Sequence, residues 1–136
     1  TYMGLQLVAD YALSDISTTN VLVVPGAGNA TTLEDKPDLL KWIQDIHSTT
    51  TWTTSVCTGS LILGAAGLLT GKEATTHWAV MDQLKKWGAK PTEKRIVEAG
   101  KIMTAAGVSA GIDMALLLAS KIAGESIAKM LQLSIE

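Results

Sequence analysis

The stretch TTSVCTGSLILGAAGLL, residues 53–69, decides how the rest of the chain is read. Thr53, Thr54, Ser55 and Val56 are β-branched or small residues suited to a strand. Cys57 stands at the break, and Gly59 opens a run that is apolar on nearly every side as far as Leu69. Strand, sharp turn and helix in that order are the logic of a nucleophile elbow, in which a tight turn drives one side chain out at the carboxyl end of a sheet. A helix starting just beyond it directs free amides and a positive dipole end toward the sulfur, which stabilises a thiolate. Gly59 permits close packing of the turn. The competing reading, a small inert apolar side chain, is the ordinary role of a free cysteine. The strand-turn-helix context favours the nucleophile.

Working outward, VLVVPG (21–26) is a continuous β-branched run closed by Pro-Gly, which predicts a fully buried parallel strand. TWTTSVC (51–57) reads as the next buried strand. Between them KPDLLKWIQDIH (36–47) places Leu39, Leu40, Ile43 and Ile46 on one helix face, with Thr31, Thr32 and Asp35 offered as caps. The three form a βαβ unit. Upstream, LQLVADYAL (5–13) has the alternation of an exposed strand. The apolar run after Cys57 predicts an interior helix stopped by Gly71. Downstream come a short β piece at 72–77, a helix over 78–88 closed by Gly88, and two strands over 95–105 around a turn at Ala99-Gly100, forming a β arm or sheet edge. An apolar helix over 109–124 with Ser109 as N-cap and an amphipathic helix over 125–136 end the chain. Alternation of strands and helices predicts an α/β fold with a mainly parallel sheet.

The 136 residues suit one domain spanning 1–136, and neither repeats nor a Pro/Gly/Ser linker divide them. With 18% charged residues and a net charge of −2, no polybasic surface points to nucleic acid or an anionic membrane. A small-molecule partner is expected instead. A single cysteine forbids an intrachain disulfide, which favours a reducing, cytoplasmic setting. TYMGLQLVAD does not read as a signal peptide, and no apolar stretch approaches the roughly 20 residues of a membrane helix.

Four motifs taken together, VLVVPGAG (21–28), SVCTGSLILGAAGLLTG (55–71), ATTHWAVMDQL (74–84) and AAGVSAGIDMAL (105–116), resemble the ThiJ/PfpI superfamily, a class I glutamine amidotransferase-like group. The resemblance runs in order over essentially the whole chain. More narrowly it is similar to the branch holding isonitrile hydratases and the ligand-sensing domains of AraC-type regulators. It implies a flavodoxin-like α/β sandwich, a homodimer, and Cys57 as nucleophile at the elbow. It also implies that Thr58 presents its backbone amide to the substrate together with one from the Gly26-Ala27-Gly28 turn. Two such donors can stabilise charge that develops during an addition. Many superfamily members carry His directly after the cysteine. Thr58 in that place argues against the protease-like and deglycase-like branches. The family's first strand and helix, with an acidic residue that bonds the cysteine sulfur, have no counterpart here. The end at LQLSIE also looks clipped, so a partial chain is expected.

The activity implied is isonitrile hydration, in which the Cys57 thiolate adds to the isocyanide carbon and water hydrolyses the thioimidate to an N-substituted formamide. No cofactor and no metal are expected. A regulator's sensing domain and a thiol-based protein acting on reactive carbonyls are the alternatives. His77 could serve as a base for Cys57, but a packing role is the better reading, since a base must lie within hydrogen-bond reach. Asp113 is explained by the helix dipole, and His47, at a helix end, is expected to face solvent. GAGNAT (26–31) lacks the third glycine and the acid of a dinucleotide fingerprint. Trp42, Trp52 and Trp87 are read as core or interface residues. Trp78 beside His77 is expected to line the substrate pocket, and Ala106, Gly107 and Val108 to wall it with small groups.

Overall fold

The computed structural model describes residues 4–136, so residues 1–3 of the opening segment lie outside it. In chain order the regular elements are β1 (Val21–Val24), α1 (Pro37–Thr49), β2 (Trp52–Val56), α2 (Gly59–Ala65), β3 (Glu73–Ala74), β4 (Lys90–Pro91), β5 (Ile96–Ala99), β6 (Ile102–Ala105), α3 (Val108–Ala123) and α4 (Glu125–Ser134). A 3-10 segment, Trp78–Trp87, lies between β3 and β4. The main sheet has the order β1-β2-β6-β5. β1 pairs parallel to β2 with Val24 opposite Ser55, and β2 pairs parallel to β6 with Val56 opposite Ala105. Only β5 runs antiparallel, through the tight turn at Ala99-Gly100, where Gly100 has φ 66°. β3 and β4 form a separate parallel pair. The result is a flavodoxin-like α/β fold.

The sheet separates two apolar layers. On one side Ile43 and Ile46 of α1 and Leu61, Ile62 and Leu63 of α2 are buried, with Ile102 from the sheet and Leu69 and Leu84 beyond. On the other, Met103 and Ala105 of β6 pack against Ala110 and Met114 of α3. Ile102 and Met103 thus serve opposite faces, as the two-residue period of a strand requires. Gly111 lets α3 approach the sheet closely, because a Cβ there would meet Val56 Cγ1 at 2.9 Å.

Several local expectations are corrected. β1 is an edge strand in this sheet, and Val23 is 50% exposed, so VLVVPG is not buried on both faces. Residues 5–13 form no strand; that segment is exposed and runs into a 3-10 turn at Leu13–Asp15. α1 starts at Pro37 without a side-chain cap, since the fixed φ of proline suits a first helical position. α2 ends at Ala65, and turns carry the chain on to Gly71. The helix over 78–88 is a 3-10 segment broken at Val80, φ −127°, although Gly88 closes it in the left-handed region. The N-cap of α3 is Gly107, two residues before the expected Ser109, whose hydroxyl lies within the first turn and accepts from Arg95 at 3.4 Å.

His47 does not simply face solvent. Its Nδ1 lies 2.8 Å from Thr53 Oγ1, whose hydroxyl also meets Thr50 Oγ1 at 2.8 Å. Burial pushes the imidazole pKa down, and the Lys101 and Lys72 ammonium groups push it the same way. Among the described residues no helix is long and apolar enough to cross a membrane.

Candidate active site around Cys57

Cys57 is the one non-glycine residue with positive φ, at 58°, among the described residues. The left-handed region costs an L-residue with a Cβ about 1–2 kcal/mol, so the neighbouring structure must hold it there. It does so at both backbone groups. The Cys57 amide donates to Ala105 O at 3.0 Å, while Cys57 O accepts from Thr76 Oγ1 at 2.9 Å and from Ser60 Oγ at 3.1 Å.

Two glycines bring the loop after β1 against this turn. A Cβ on Gly59 would stand 2.2 Å from Val24 O, and one on Gly26 would stand 2.7 Å from the Cys57 Cβ. Thr58 completes the junction. Its hydroxyl accepts from the Ala27 amide and donates to Ala27 O, both at 2.9 Å, which ties the loop to the elbow through one side chain. The Ala27 amide is therefore committed to Thr58. Among the described residues the Gly28 and Thr58 amides have no protein acceptor.

A cavity of about 820 Å³ opens over Cys57. Gly26, Ala27 and Gly28 form one side, Val108, Ile112 and Leu116 of α3 another, and Leu131 with Ile135 close it from α4 and its end. No charged side chain lines it. The thiol therefore borders a wide, open apolar chamber with the Gly26-Ala27-Gly28 loop on one side. Such a chamber suits a neutral substrate that acquires charge at one end.

The structure brings Cys57, Gly26, Ala27, Gly28 and Val108 to one cavity and sends Ala106 and Trp78 to another. The physical reason is the start of α3, which runs between the two spaces, so that Val108 faces one and Gly107 and Ser109 the other. Trp78 is 80% exposed. His77 packs beside it, with ring centroids 5.4 Å apart, and its Nδ1 accepts from the Ala79 amide at 3.3 Å, capping the 3-10 segment. No hydrogen bond joins His77 to Cys57 among the described residues. Asp113 bonds Arg95 Nε at 2.6 Å and so tethers α3 to the approach to β5. No group of three or more His, Cys, Asp or Glu side chains among the described residues could hold a metal ion.

Thr76 and Ala105 are the holders of the elbow that sequence reading missed. Ala105 carries no polar side chain, and its contribution is a carbonyl positioned by the β2–β6 register. Thr76 gave a faint signal as one of two adjacent threonines in ATTHW (74–78), and both are buried.

Comparison with protein-family models matches residues 1–121 to the DJ-1/PfpI family. The chain belongs to this family. Over 133 residues it is 44% identical to an isonitrile hydratase of Pseudomonas putida, a match covering 98% of this chain and 58% of that protein. The HTH-type transcriptional regulator CdhR of Pseudomonas aeruginosa is 29% identical over 127 residues, 92% of this chain and 38% of that one. Among solved structures, a ThiJ/PfpI family protein from Pseudomonas syringae superposes with a TM-score of 0.93 at 36% identity, covering 98% of this chain and 56% of the other. The chain thus spans little more than half the length of the hydratase and of that solved relative.

Proposed function

We propose that this DJ-1/PfpI chain carries the catalytic elbow of an isonitrile hydratase-like enzyme. The observation that carries the reading is Cys57, held at φ 58° by bonds to both its backbone groups and bordering an open apolar cavity. The 44% identity to the Pseudomonas putida hydratase supports it over other thiol chemistries.

In this mechanism the Cys57 thiolate donates an electron pair to the terminal carbon of R–NC, forming a C–S bond. A proton taken up at that carbon yields the thioimidate R–N=CH–S. Protonation at nitrogen and attack by water give a tetrahedral intermediate. Collapse breaks the C–S bond, returns the thiolate and releases R–NH–CHO, so the net change is addition of one water. In this reading the unpaired Gly28 and Thr58 amides supply the donors for negative charge, a contribution of about 2.7–4 kcal/mol per donor in comparable acyl chemistry. Thr58 positions the loop that carries Gly28.

A ligand-sensing role is the second reading, supported by the match to the regulator CdhR over 92% of this chain. It uses the same cavity without turnover. Intact-protein mass spectrometry before and after n-butyl isocyanide, with formamide detection and a Cys57→Ala control, separates the two. Formamide that disappears with Cys57→Ala supports the hydratase. Absence of product from protein whose Cys57 is demonstrably reduced and reactive overturns it in favour of sensing.

A further inference from the structure

Thr76 does not line the cavity over Cys57, yet its hydroxyl ends on the backbone of the nucleophile. Its Oγ1 donates to Cys57 O at 2.9 Å, and Ser60 Oγ donates to the same oxygen at 3.1 Å. That oxygen and the Thr58 N–H are the two ends of one planar peptide, which turns as a unit. We infer that Thr76 is a positioning residue for the proposed reaction: by holding the Cys57 carbonyl, it keeps the Thr58 amide turned the opposite way and free for developing negative charge. This rests on the hydratase reading, which supplies the charge that the amide meets.

Three observations carry it. The first is the turn itself. Cys57 stands at φ 58° with its amide fixed to Ala105 O at 3.0 Å, so the peptide that follows is the part of the turn left to be held. Rotation of that peptide about its two flanking bonds would exchange Cys57 O with the Thr58 N–H and put an acceptor where the donor had been.

The second is what opposes the rotation. Thr76 and Ser60 are both 0% exposed, and rotation would leave two buried hydroxyls without an acceptor, a state that folded proteins seldom tolerate. Ser60 belongs to α2, the helix that opens beside the turn, and can follow it. Thr76 cannot, because its segment is anchored elsewhere. The neighbouring Thr75 amide donates to Thr104 Oγ1 at 2.9 Å, and Thr104 precedes Ala105 on β6. One strand therefore fixes the Cys57 amide directly and the Cys57 carbonyl through Thr76.

The third is the far end of the peptide. The Thr58 amide has no protein acceptor among the described residues, and a Cβ on Gly26 would stand 3.1 Å from Thr58 N, so the bare glycine leaves room beside it. Gly26 itself borders the cavity. Two hydroxyl donors on the carbonyl also polarise the peptide and make the N–H at its other end a stronger donor.

The test compares Thr76→Val, which keeps the shape of the side chain and removes the hydroxyl, with Thr76→Ser, which keeps the hydroxyl. Steady-state kinetics with n-butyl isocyanide are read beside the resonances of the Cys57 carbonyl carbon and the Thr58 amide nitrogen in isotopically labelled protein. Thr76→Val should lower kcat about tenfold with KM within about twofold of the parent, as loss of a contact made in the transition state requires, and Thr76→Ser should recover most of it. Both resonances should move upfield in Thr76→Val and return in Thr76→Ser. An active parent whose kcat is unchanged by Thr76→Val, a Thr76→Ser protein as impaired as Thr76→Val, or resonances that stay in place overturns the assignment. Ser60→Ala, which strips the other hydroxyl from the same carbonyl, should move both readouts in the same direction, and it decides the outcome if Thr76→Val does not fold. A parent with reduced Cys57 that makes no formamide removes the hydratase reading instead, and the resonances alone then decide whether Thr76 holds this peptide.

Discussion

Replacing Gly59 by alanine tests whether close contact between the elbow and the first strand builds the site. The added Cβ would lie 2.2 Å from Val24 O, 2.9 Å from Pro25 O and 3.0 Å from Val24 C, where ordinary contact begins at 3.4 Å. All three atoms are backbone, so no rotamer change relieves the clash. Val24 is also held by its pairing with Ser55 across β1 and β2, and β1 must shift by about 1 Å or α2 must tilt away. Overpacking of a filled core costs about 1–3 kcal/mol, and with rigid backbone on the far side the upper end applies. A loss of about 3 kcal/mol corresponds to a fall of about 10 °C in Tm for a chain of this size. Gly28→Ala is the control in the same loop, since nothing lies within 4 Å of its Cβ position, and it should change stability by no more than about 0.5 kcal/mol. Equilibrium urea unfolding of both variants, with the rate of Cys57 modification by a chromogenic disulfide, provides the readouts. Gly59→Ala should be less stable and should alter thiol reactivity. A Gly59→Ala protein as stable and as reactive as Gly28→Ala would refute the reasoning.

Three further outcomes follow from the same geometry. Thr58→Val removes both bonds to Ala27 and should cost about 1–3 kcal/mol, whereas Thr58→Ser should retain most of the stability; urea midpoints that fail to separate the two would sink the clamp. Cys57→Gly relieves the positive φ that Cys57→Ala keeps, so the glycine variant should be the more stable of the two by about 1 kcal/mol, both being inactive toward isocyanide; thermal unfolding reads the difference. His47 has a pKa depressed below its ordinary 6.5, so the unfolded chain takes up the proton first. Its destabilising effect is absent above that pH, grows as pH falls below 6.5, and levels off below the folded value. His47→Gln should therefore lose less stability than the parent between about pH 7.5 and pH 5, and parallel losses in urea unfolding would contradict it.

Much of the fold was legible because the decisive segments obey local rules. The run before Cys57, the helical face of Ile43 and Ile46, and the turn at Ala99-Gly100 each declare themselves by period or by a turn residue, and all three occur as expected. Errors arose where tertiary partners decide. Residues 5–13 alternate like a strand, yet alternation alone cannot supply a ladder partner. The burial of β1 depends on which strands flank it, information absent from VLVVPG itself. At the site, the cysteine and its small-residue loop could be read from the motif. The separation of Trp78 and Ala106 from Val108 could not, because it turns on the line along which α3 leaves β6. The hydroxyl of Thr58 was likewise invisible, since its partner Ala27 is distant in sequence and contributes only backbone.

The bond from the Cys57 amide to Ala105 O has a bearing on when the turn at Cys57 comes into being. β2 pairs with β1, which is made before it, but its other neighbour, β6, is made well after it. Emerging from a ribosome, the cysteine lacks the carbonyl that fixes its backbone until residue 105 has followed it. Contacts between such distant residues close slowly, because loop entropy must be lost before they are rewarded. The strained turn, and with it the orientation of the thiol, is therefore a late product of folding. An arrested chain ending before residue 105 would carry the same cysteine on an unfinished strand, without the bond that holds its backbone in the left-handed region.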